Sequence, residues 1–458
     1  MAFIPYIIDD FRGGRSDQND RGVAGSFKGG NSLNIHKKEN SLTAQQAMLD
    51  FTPSGMSDLG RHIVTGSDGT MYVFGSTGSI FAISGDLQVN LAYSDENGDI
   101  KGAAQWGTND GTTTTEFLFW ATSTSIARVP LTSGNAVPWV NATQDFKVTL
   151  DPATHHTMEI ASGQLNIANN DFIASIDFTG DFDVIALNIR PGNLIKSLDE
   201  RDDYLIMGSI RDDGSEQGHI WSWVTTAIKF IQKKLIPAKG VNALIFAETP
   251  LIQAGTDGEL FTSDFSDALP LNIGGGGGQV NPSGVTVLND MAHFGFYGGT
   301  EPGIWSMGRK RPNRPQALNY EYRLAKTVGG STVSEIGALE TFNGVLYATW
   351  ETTDGSTKEF GMDAFSSTTK ATAVYEALEF DNDTPHLGLN YQQIKLSMSP
   401  MPSGTSVSAK YKLDKETDFR YAIMGDGGTT HSVSDGAHST IAQFSIGDIG
   451  SPCFVFVH

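Results

Sequence analysis

The chain has 458 residues, a formal charge of −21, 39% hydrophobic and 18% charged residues, and 52 glycines. That apolar share supports a folded core and is too high for a disordered chain, and the length suits two or three domains or one large repeat domain with an extension. No run of about 18 apolar residues is present for a transmembrane helix, the single cysteine, Cys453, allows no disulfide framework or Cys-based zinc site, and the acidity argues against broad nucleic-acid contact.

In chain order, Met1-Ala-Phe-Ile-Pro-Tyr-Ile-Ile-Asp-Asp lacks the basic region and long apolar core of a secretory signal, so none is expected. Residues 1–58 are rich in polar residues and glycine, as in Arg12-Gly-Gly-Arg and Lys28-Gly-Gly-Asn. They read as an extended arm with a strand or two, Ser32-Leu-Asn-Ile and Ser41-Leu-Thr-Ala. An entry strand from this stretch could close a ring by pairing with its last repeat.

Residues 59–384 carry a repeat. Short apolar runs begin at Met71, Phe117, Tyr204, Ala243, Phe294 and Val345, separated by Gly, Asp, Asn, Ser and Thr clusters. Each run precedes a turn and a second short strand: Ser79-Ile-Phe-Ala-Ile, Ser125-Ile-Ala-Arg-Val, His219-Ile-Trp-Ser-Trp, Glu259-Leu-Phe-Thr-Ser, Gly303-Ile-Trp-Ser-Met and, more weakly, Glu359-Phe-Gly-Met-Asp. Aligned on positions 81, 127, 221, 261, 305 and 360, the copies are 46, 94, 40, 44 and 55 residues apart. The gap of 94 places a hidden copy near Phe182-Asp-Val-Ile-Ala-Leu. Seven units of roughly 40 to 55 residues predict an all-β, seven-bladed β-propeller. One blade cannot bury both its faces, and a ring of blades can. Gly78, Gly218, Gly258 and Gly303 stand where a hairpin needs positive φ. Thr226 to Lys234 reads as helix or strand alike.

Beyond Pro385 the runs Gln393-Ile-Lys-Leu-Ser-Met, Ser406-Val-Ser-Ala-Lys-Tyr-Lys-Leu, Phe419-Arg-Tyr-Ala-Ile-Met, Ala442-Gln-Phe-Ser-Ile and Phe454-Val-Phe-Val alternate in period two. Residues 385–458 therefore predict a small β-sandwich, with the chain ending in its last strand-like run.

Motifs with catalytic spacing are missing: there is no His-Glu-x-x-His, nucleophile elbow or Walker loop. Gly274–Gly278 has no following Lys-Ser/Thr and reads as a loop. His155-His156 near Asp151 could seed a metal site, but neighbouring side chains on a strand point to opposite faces. Asp9-Asp10, Asp202-Asp203, Asp212-Asp-Gly and Asp381-Asn-Asp lack EF-hand spacing and read as turns. No enzyme activity, cofactor or metal is expected. Arg309-Lys-Arg-Pro-Asn-Arg stands out in an acidic chain; Arg309, Lys310, Arg311 and Arg314 are read as a loop patch for docking an acidic neighbour, such as another copy of this chain.

Ser67-Asp-Gly-Thr-Met-Tyr and Thr256-Asp-Gly-Glu-Leu-Phe are similar to the Asp-box of sialidase propellers, with the wrong spacing. A closer resemblance joins the two ends of the chain. Tyr6-Ile-Ile-Asp-Asp-Phe-Arg-Gly-Gly, Gly25-Ser-Phe-Lys-Gly-Gly-Asn-Ser-Leu-Asn-Ile and Asn40-Ser-Leu-Thr-Ala-Gln-Gln-Ala-Met resemble the start of β-propeller virion proteins of tailed bacteriophages. Pro400-Met-Pro-Ser-Gly-Thr-Ser-Val-Ser-Ala-Lys-Tyr-Lys is similar to their carboxyl-terminal β-sandwich. The resemblance implies a structural tail component, a nozzle, adaptor or tail-tip protein, assembled in the host cytoplasm as a homo-oligomer. Its partners would be other tail or connector proteins, with no membrane and no specific nucleic-acid sequence. The alternative is a glycan-binding propeller that recognises a host surface through Trp221, Trp223, Trp305 and Trp350; a secreted hydrolase is a third reading.

Overall fold

The computed structural model describes residues 7–16, 25–38, 41–52, 55–84, 89–131, 138–215, 217–246, 250–265, 269–271, 278–309, 316–325, 333–354, 357–378, 393–401, 403–413, 417–424, 432–434, 441–446 and 453–457. The chain divides into two units. One comprises residues 46–310 and 322–369, the other residues 1–45, 311–321 and 370–458.

The first unit is a seven-bladed β-propeller. Blade 1 holds Gly60–Thr65, Met71–Gly75, Ser79–Ile83 and Val89–Ser94; blade 2 holds Gly102–Asn109, Thr114–Ala121, Ser125–Pro130 and Thr143–Val148. Blade 3 holds Met158–Ala161, Gln164–Asn169, Phe172–Ile176 and Phe182–Asn188; blade 4 holds Asn193–Arg201, Tyr204–Arg211, Gly218–Trp223 and Gln232–Ile236. Blade 5 holds Val241–Phe246, Pro250–Ala254, Glu259–Thr262 and Leu269–Leu271, and blade 6 holds Val285–Leu288, Met291–Phe296 and Gly303–Gly308. The strand Ala317–Tyr322 spans the point where the chain returns to this unit. Blade 7 takes Val333–Phe342, Val345–Asp354 and Thr357–Lys370, and its fourth strand is Gln46–Asp50 from the other end of the chain. The first strand of each blade touches the first strand of the next, and Val333–Phe342 touches Gly60–Thr65, so the ring closes.

Local sequence explains these hairpins. The first hairpins of blades 3, 4, 6 and 7 turn on two residues, Ser162-Gly163, Asp202-Asp203, Asn289-Asp290 and Asn343-Gly344, all at positive φ. This is the type I′ turn, whose twist matches that of paired strands. Apolar residues then pack between blades. Ile63, Met71, Val73, Phe81 and Ile83 of blade 1 share a cluster with Ala338, Phe342, Tyr347 and Met362 of blade 7. Similar clusters join blades 2 and 3, 3 and 4, and 4 and 5. Some second and third strands are accordingly buried along their whole length, as in Met71–Gly75 and Gly218–Trp223. Fourth strands alternate toward solvent, as in Phe182–Asn188.

Several expectations need correction. The aligned repeat positions all fall on third strands, but the hidden copy is Phe172–Ile176; Phe182 begins the fourth strand of that blade. The run at Ala243 belongs to the first strand of blade 5, and Pro250–Ala254 is the second. All six residues of Val241–Phe246 are buried, which removes the alternation that marks a strand's rank. Gln232–Ile236 is a strand preceded by turns, with no helix across 226–234. Gly78 and Gly258 adopt positive φ. Gly218 does not; there a Cβ would come 3.0 Å from the Gly240 carbonyl carbon, so close approach is what demands glycine.

The second unit is also built of strands. Its largest sheet runs in the order Gly29–Asn31, Val374–Glu376, Cys453–Val457, Ser406–Leu413 and Arg420–Tyr421, with Ser432–Ser434 also paired to Ser406–Leu413. A three-stranded sheet orders Gln393–Ser397, Ile441–Ser445 and Ile423–Met424. Ala409 and Tyr411 of the larger sheet share a buried cluster with Ile394, Ala442 and Phe444 of the smaller one. A second cluster gathers Phe27, Leu33, Ile35, Ala317, Tyr375 and Ala377. Asn319 Nδ2 donates to the Leu33 carbonyl at 2.7 Å, so residues far apart in sequence are tied by a side-chain hydrogen bond as well. A division at residues 58 and 384 misses this arrangement, because sheet pairing joins segments that composition reads separately.

Candidate functional site

The docking patch read from sequence is only partly described. Arg309 is half-buried just after the third strand of blade 6; Lys310, Arg311 and Arg314 lie outside the described residues. Residues 274–277 of the glycine run and Asp381-Asn-Asp also lie outside them. Asp213 is a turn residue, accepting from Ser215 N at 2.9 Å and Arg211 Nη2 at 2.8 Å. Asp68, in the stretch similar to an Asp-box, accepts from Thr70 N and the Tyr72 hydroxyl within its own hairpin.

The four tryptophans offered for glycan stacking are core residues, each 3% exposed or less. Trp221 Nε1 donates to Ser209 Oγ at 2.9 Å and Trp350 Nε1 to Asp363 Oδ1 at 2.9 Å. None of the four presents a face to solvent.

His155 and His156 point into different surroundings. His156 is fully buried between blades 2 and 3, with Nδ1 2.7 Å from the Ala168 carbonyl and Nε2 3.0 Å from the Ser123 carbonyl. Both nitrogens are engaged by the backbone, so this ring has none to offer a metal. His155 is half-buried, and the charges that act on it come from residues that sequence reading did not bring together.

That axial cluster is built by the first strands of several blades and the residues leading into them. Arg61 and His62 come from blade 1, Lys101 directly precedes blade 2, His155 precedes blade 3, Lys196 comes from blade 4 and Glu335 from blade 7. Arg61 pairs with Glu335, whose Oε1 also accepts from Asn281 Nδ2 at 2.9 Å. His62 Nδ1 lies 2.6 Å from Ser283 Oγ. Lys101 Nζ is 3.3 Å from Asp99, whose side chain is half exposed. Lys196 Nζ donates to Asn242 Oδ1 at 2.7 Å, and among the described residues no carboxylate lies within ion-pair distance of it. Burial, reinforced by Arg61, pushes Lys196 down to about 8 despite the opposing pull of Glu335. Burial also pushes His155 down to about 3, aided by the charges of Lys196, Arg61 and Lys101. His62 falls to about 3 for the same first reason, helped by Arg61. Both rings are therefore neutral at pH 7, where Lys196 keeps most of its charge.

Three residues further along the strand of Lys196, about 10 Å at ~3.3 Å per residue, the chemistry reverses. Burial raises Asp199 to about 6, and burial with the Asp199 charge raises Glu159, on the first strand of blade 3, to about 8. Burial alone raises Glu340 of blade 7 to about 7. A carboxyl with a raised folded-state pKa binds a proton on folding, so its stabilising share is complete below the unfolded value, 4.5 for Glu, and is lost as pH climbs to the folded value. The propeller is accordingly expected to lose stability between about pH 4.5 and pH 8 at these positions. Glu159→Gln should gain about 1–3 kcal/mol relative to the parent at pH 9 and little at pH 5, measured by urea unfolding at both. An equal difference at the two pH values would contradict the assignment.

The axial cluster was missed because its members are scattered from residue 61 to 335. The available signal was a charge set at the head of an apolar run, as in Gly60-Arg-His-Ile-Val and Leu194-Ile-Lys-Ser-Leu.

No family model and no curated protein matches the chain. Among solved structures it is similar to the extracellular domain of the two-component system protein BT4673 from B. thetaiotaomicron, at 12% identity and a TM-score of 0.49, over 85% of this chain and 47% of that one. It is also similar to the WD40 β-propeller domain of Doa1, at 14% identity and a TM-score of 0.45, over 70% of this chain and 97% of that one. The chain thus spans about half the length of the BT4673 domain, and likeness at these scores says nothing about function.

Proposed function

We propose that the protein is a structural component of a tailed-phage virion, a tail nozzle, adaptor or tail-tip protein that acts through assembly contacts and performs no catalysis. One observation carries this reading: the two segments that resemble phage tail proteins, at opposite ends of the chain, contribute strands to one sheet. Gly29–Asn31 lies in the phrase that begins at Gly25 and Ser406–Leu413 overlaps the last, and both belong to the largest sheet of the second unit. Two sheets of that unit share a core, and we read them as the β-sandwich of such proteins, with the N-terminal residues as an arm reaching toward a neighbouring subunit.

A rigid ring with a second β-unit suits assembly by symmetry, in which loops meet neighbours and the fold supplies their spacing. Partners are other tail or connector proteins and further copies of this chain, met in the host cytoplasm, with Arg309, Lys310, Arg311 and Arg314 as a contact for an acidic neighbour. The glycan-binding alternative loses its aromatic support, because the four tryptophans named for it are buried.

Quantitative mass spectrometry of purified particles is the test. The expected result is this chain in a fixed number of copies per particle, in whole-number ratio to other tail proteins. Its absence from particles, with abundance in the lysate, would overturn the reading.

A further inference from the structure

Rings and cations alternate in a row that runs from blade 2 to blade 3. Phe117, Phe146 and Phe182 are partly buried against the cluster that joins these two blades. The Arg128 guanidinium, on the third strand of blade 2, lies over two of these rings, with Cζ 4.3 Å from the Phe117 centroid and 3.8 Å from that of Phe146. On the fourth strand, Lys147 Nζ is 5.1 Å from the same Phe146 centroid and 5.8 Å from that of Phe182, which opens the fourth strand of blade 3. Sharing one ring makes the two cations neighbours. Cation–π attraction holds them in place. Yet among the described residues neither has a hydrogen-bond acceptor or an ion-pair partner, and their nitrogens reach solvent. The acids nearest in sequence are engaged elsewhere. Glu116 Oε2 accepts from Gln105 Nε2 at 3.1 Å, Asp145 Oδ1 from Asn97 Nδ2 at 3.4 Å and Asp183 Oδ1 from the Ile185 amide at 3.0 Å. Apolar surface extends the row, because Trp106 pairs with Phe117 in the strand register and meets Phe178, which is 47% exposed.

We propose that this row docks an acidic surface of a second copy of this chain. Arg128 takes one carboxylate through two parallel N–H bonds, Lys147 takes another, and the contact covers Trp106 and Phe178. A guanidinium already held over rings loses little freedom on pairing, and its planar fork matches a carboxylate. Charge complementarity selects the occupant. The chain has 52 Asp and Glu against 31 Lys and Arg, so a second copy presents carboxylates in excess, and these two cations are a local reversal of sign. The contact joins unlike surfaces, and such a contact repeats head to tail and forms a ring where the rotation closes. The inference deepens the proposed function, in which further copies of the chain are partners, and it is tested on purified chain without particles, so the two can fail separately.

The experiment mixes equal amounts of the full chain with and without nitrogen-15 labelling and treats them with a water-soluble carbodiimide, which joins a lysine amine to a carboxylate in ion-pair contact. Peptide mass spectrometry then identifies cross-links between labelled and unlabelled copies, and sedimentation velocity measures association. The expected result is a cross-link from Lys147 to an Asp or Glu of another copy. Arg128→Gln and Lys147→Gln should each weaken association at least about tenfold, the scale of one lost charged contact. Lys229→Gln, at an exposed residue between the third and fourth strands of blade 4, changes net charge by the same amount and should associate as the parent does. A chain that stays monomeric at every concentration reached would overturn the proposal, as would parent-like association by folded Arg128→Gln or Lys147→Gln. A monomeric chain that binds a hexaglutamate peptide or a single-stranded oligonucleotide through the same two cations would also overturn it, and would give the surface to a different acidic protein or to a nucleic acid.

Discussion

Trp120→Ala should destabilise the propeller by about 3–5 kcal/mol, the range for removing a large buried aromatic. Trp120, on the second strand of blade 2, is 0% exposed and sits in the cluster that joins blades 1 and 2. It stacks on Trp139 with ring centroids 6.1 Å apart and an interplanar angle of 26°, and lies near Phe74 and Tyr93 of blade 1. Its Nε1 donates to Asp95 Oδ2 at 2.6 Å, and Asp95 Oδ1 accepts from Asn97 N at 2.8 Å. The alanine would thus leave a cavity and strand one oxygen of a buried carboxylate. Trp120→Phe keeps most of the packing and removes only the hydrogen bond, so it should cost about 1–3 kcal/mol. Urea unfolding of both variants checks this, and equal losses would mean that packing contributes nothing beyond the Asp95 bond.

Gly102→Ala should be of comparable severity, about 3 kcal/mol, at the upper end of the range for overpacking. Gly102 opens the first strand of blade 2, and a Cβ there would overlap the backbone carbonyl of His156, next to the lead-in to blade 3. The obstacle is backbone, so no rotamer change relieves it. His156 N is itself hydrogen-bonded to the Lys101 carbonyl at 2.9 Å, and its ring bonds to Ser123 and Ala168, so the segment has little room to retreat. Gly337 repeats the device at ring closure, where a Cβ would overlap the Gly60 carbonyl. A control at Gly163, where a Cβ meets nothing but the backbone has positive φ, should cost only about 1 kcal/mol in strain. A loss at Gly102 no larger than that at Gly163 would show that close approach of the backbone is not what demands glycine there.

These two positions show where the sequence was legible. The blade repeat was readable because third strands carry Ile or Leu with an aromatic after a turn, as at Phe81, Trp221 and Trp305, and inter-blade packing demands that pattern. Blade 3 was legible only as the 94-residue gap; its third strand carries Ala174 at the aligned position, as blade 2 carries Ala127, and follows a turn with Asn170 at φ 58°. Gln46–Asp50 as the last strand of blade 7 was harder to locate, since strand pairing leaves no mark of the partner's position in the chain. The axial cluster was the least legible part. Each member is an ordinary charged residue in its own blade, and only the convergence of first strands on one axis makes them neighbours. The pair at His155 and His156 did attract attention, but spacing alone could not show that the second ring is spent on two carbonyls while the first is acted on by charges from other blades.

Immunogold electron microscopy of purified virus particles, with antibody against this chain, tests the central claim most directly. The account predicts label at one fixed place on the tail, from which symmetry averaging could count the copies. Unlabelled particles, with the protein abundant in the lysate or medium, would contradict it.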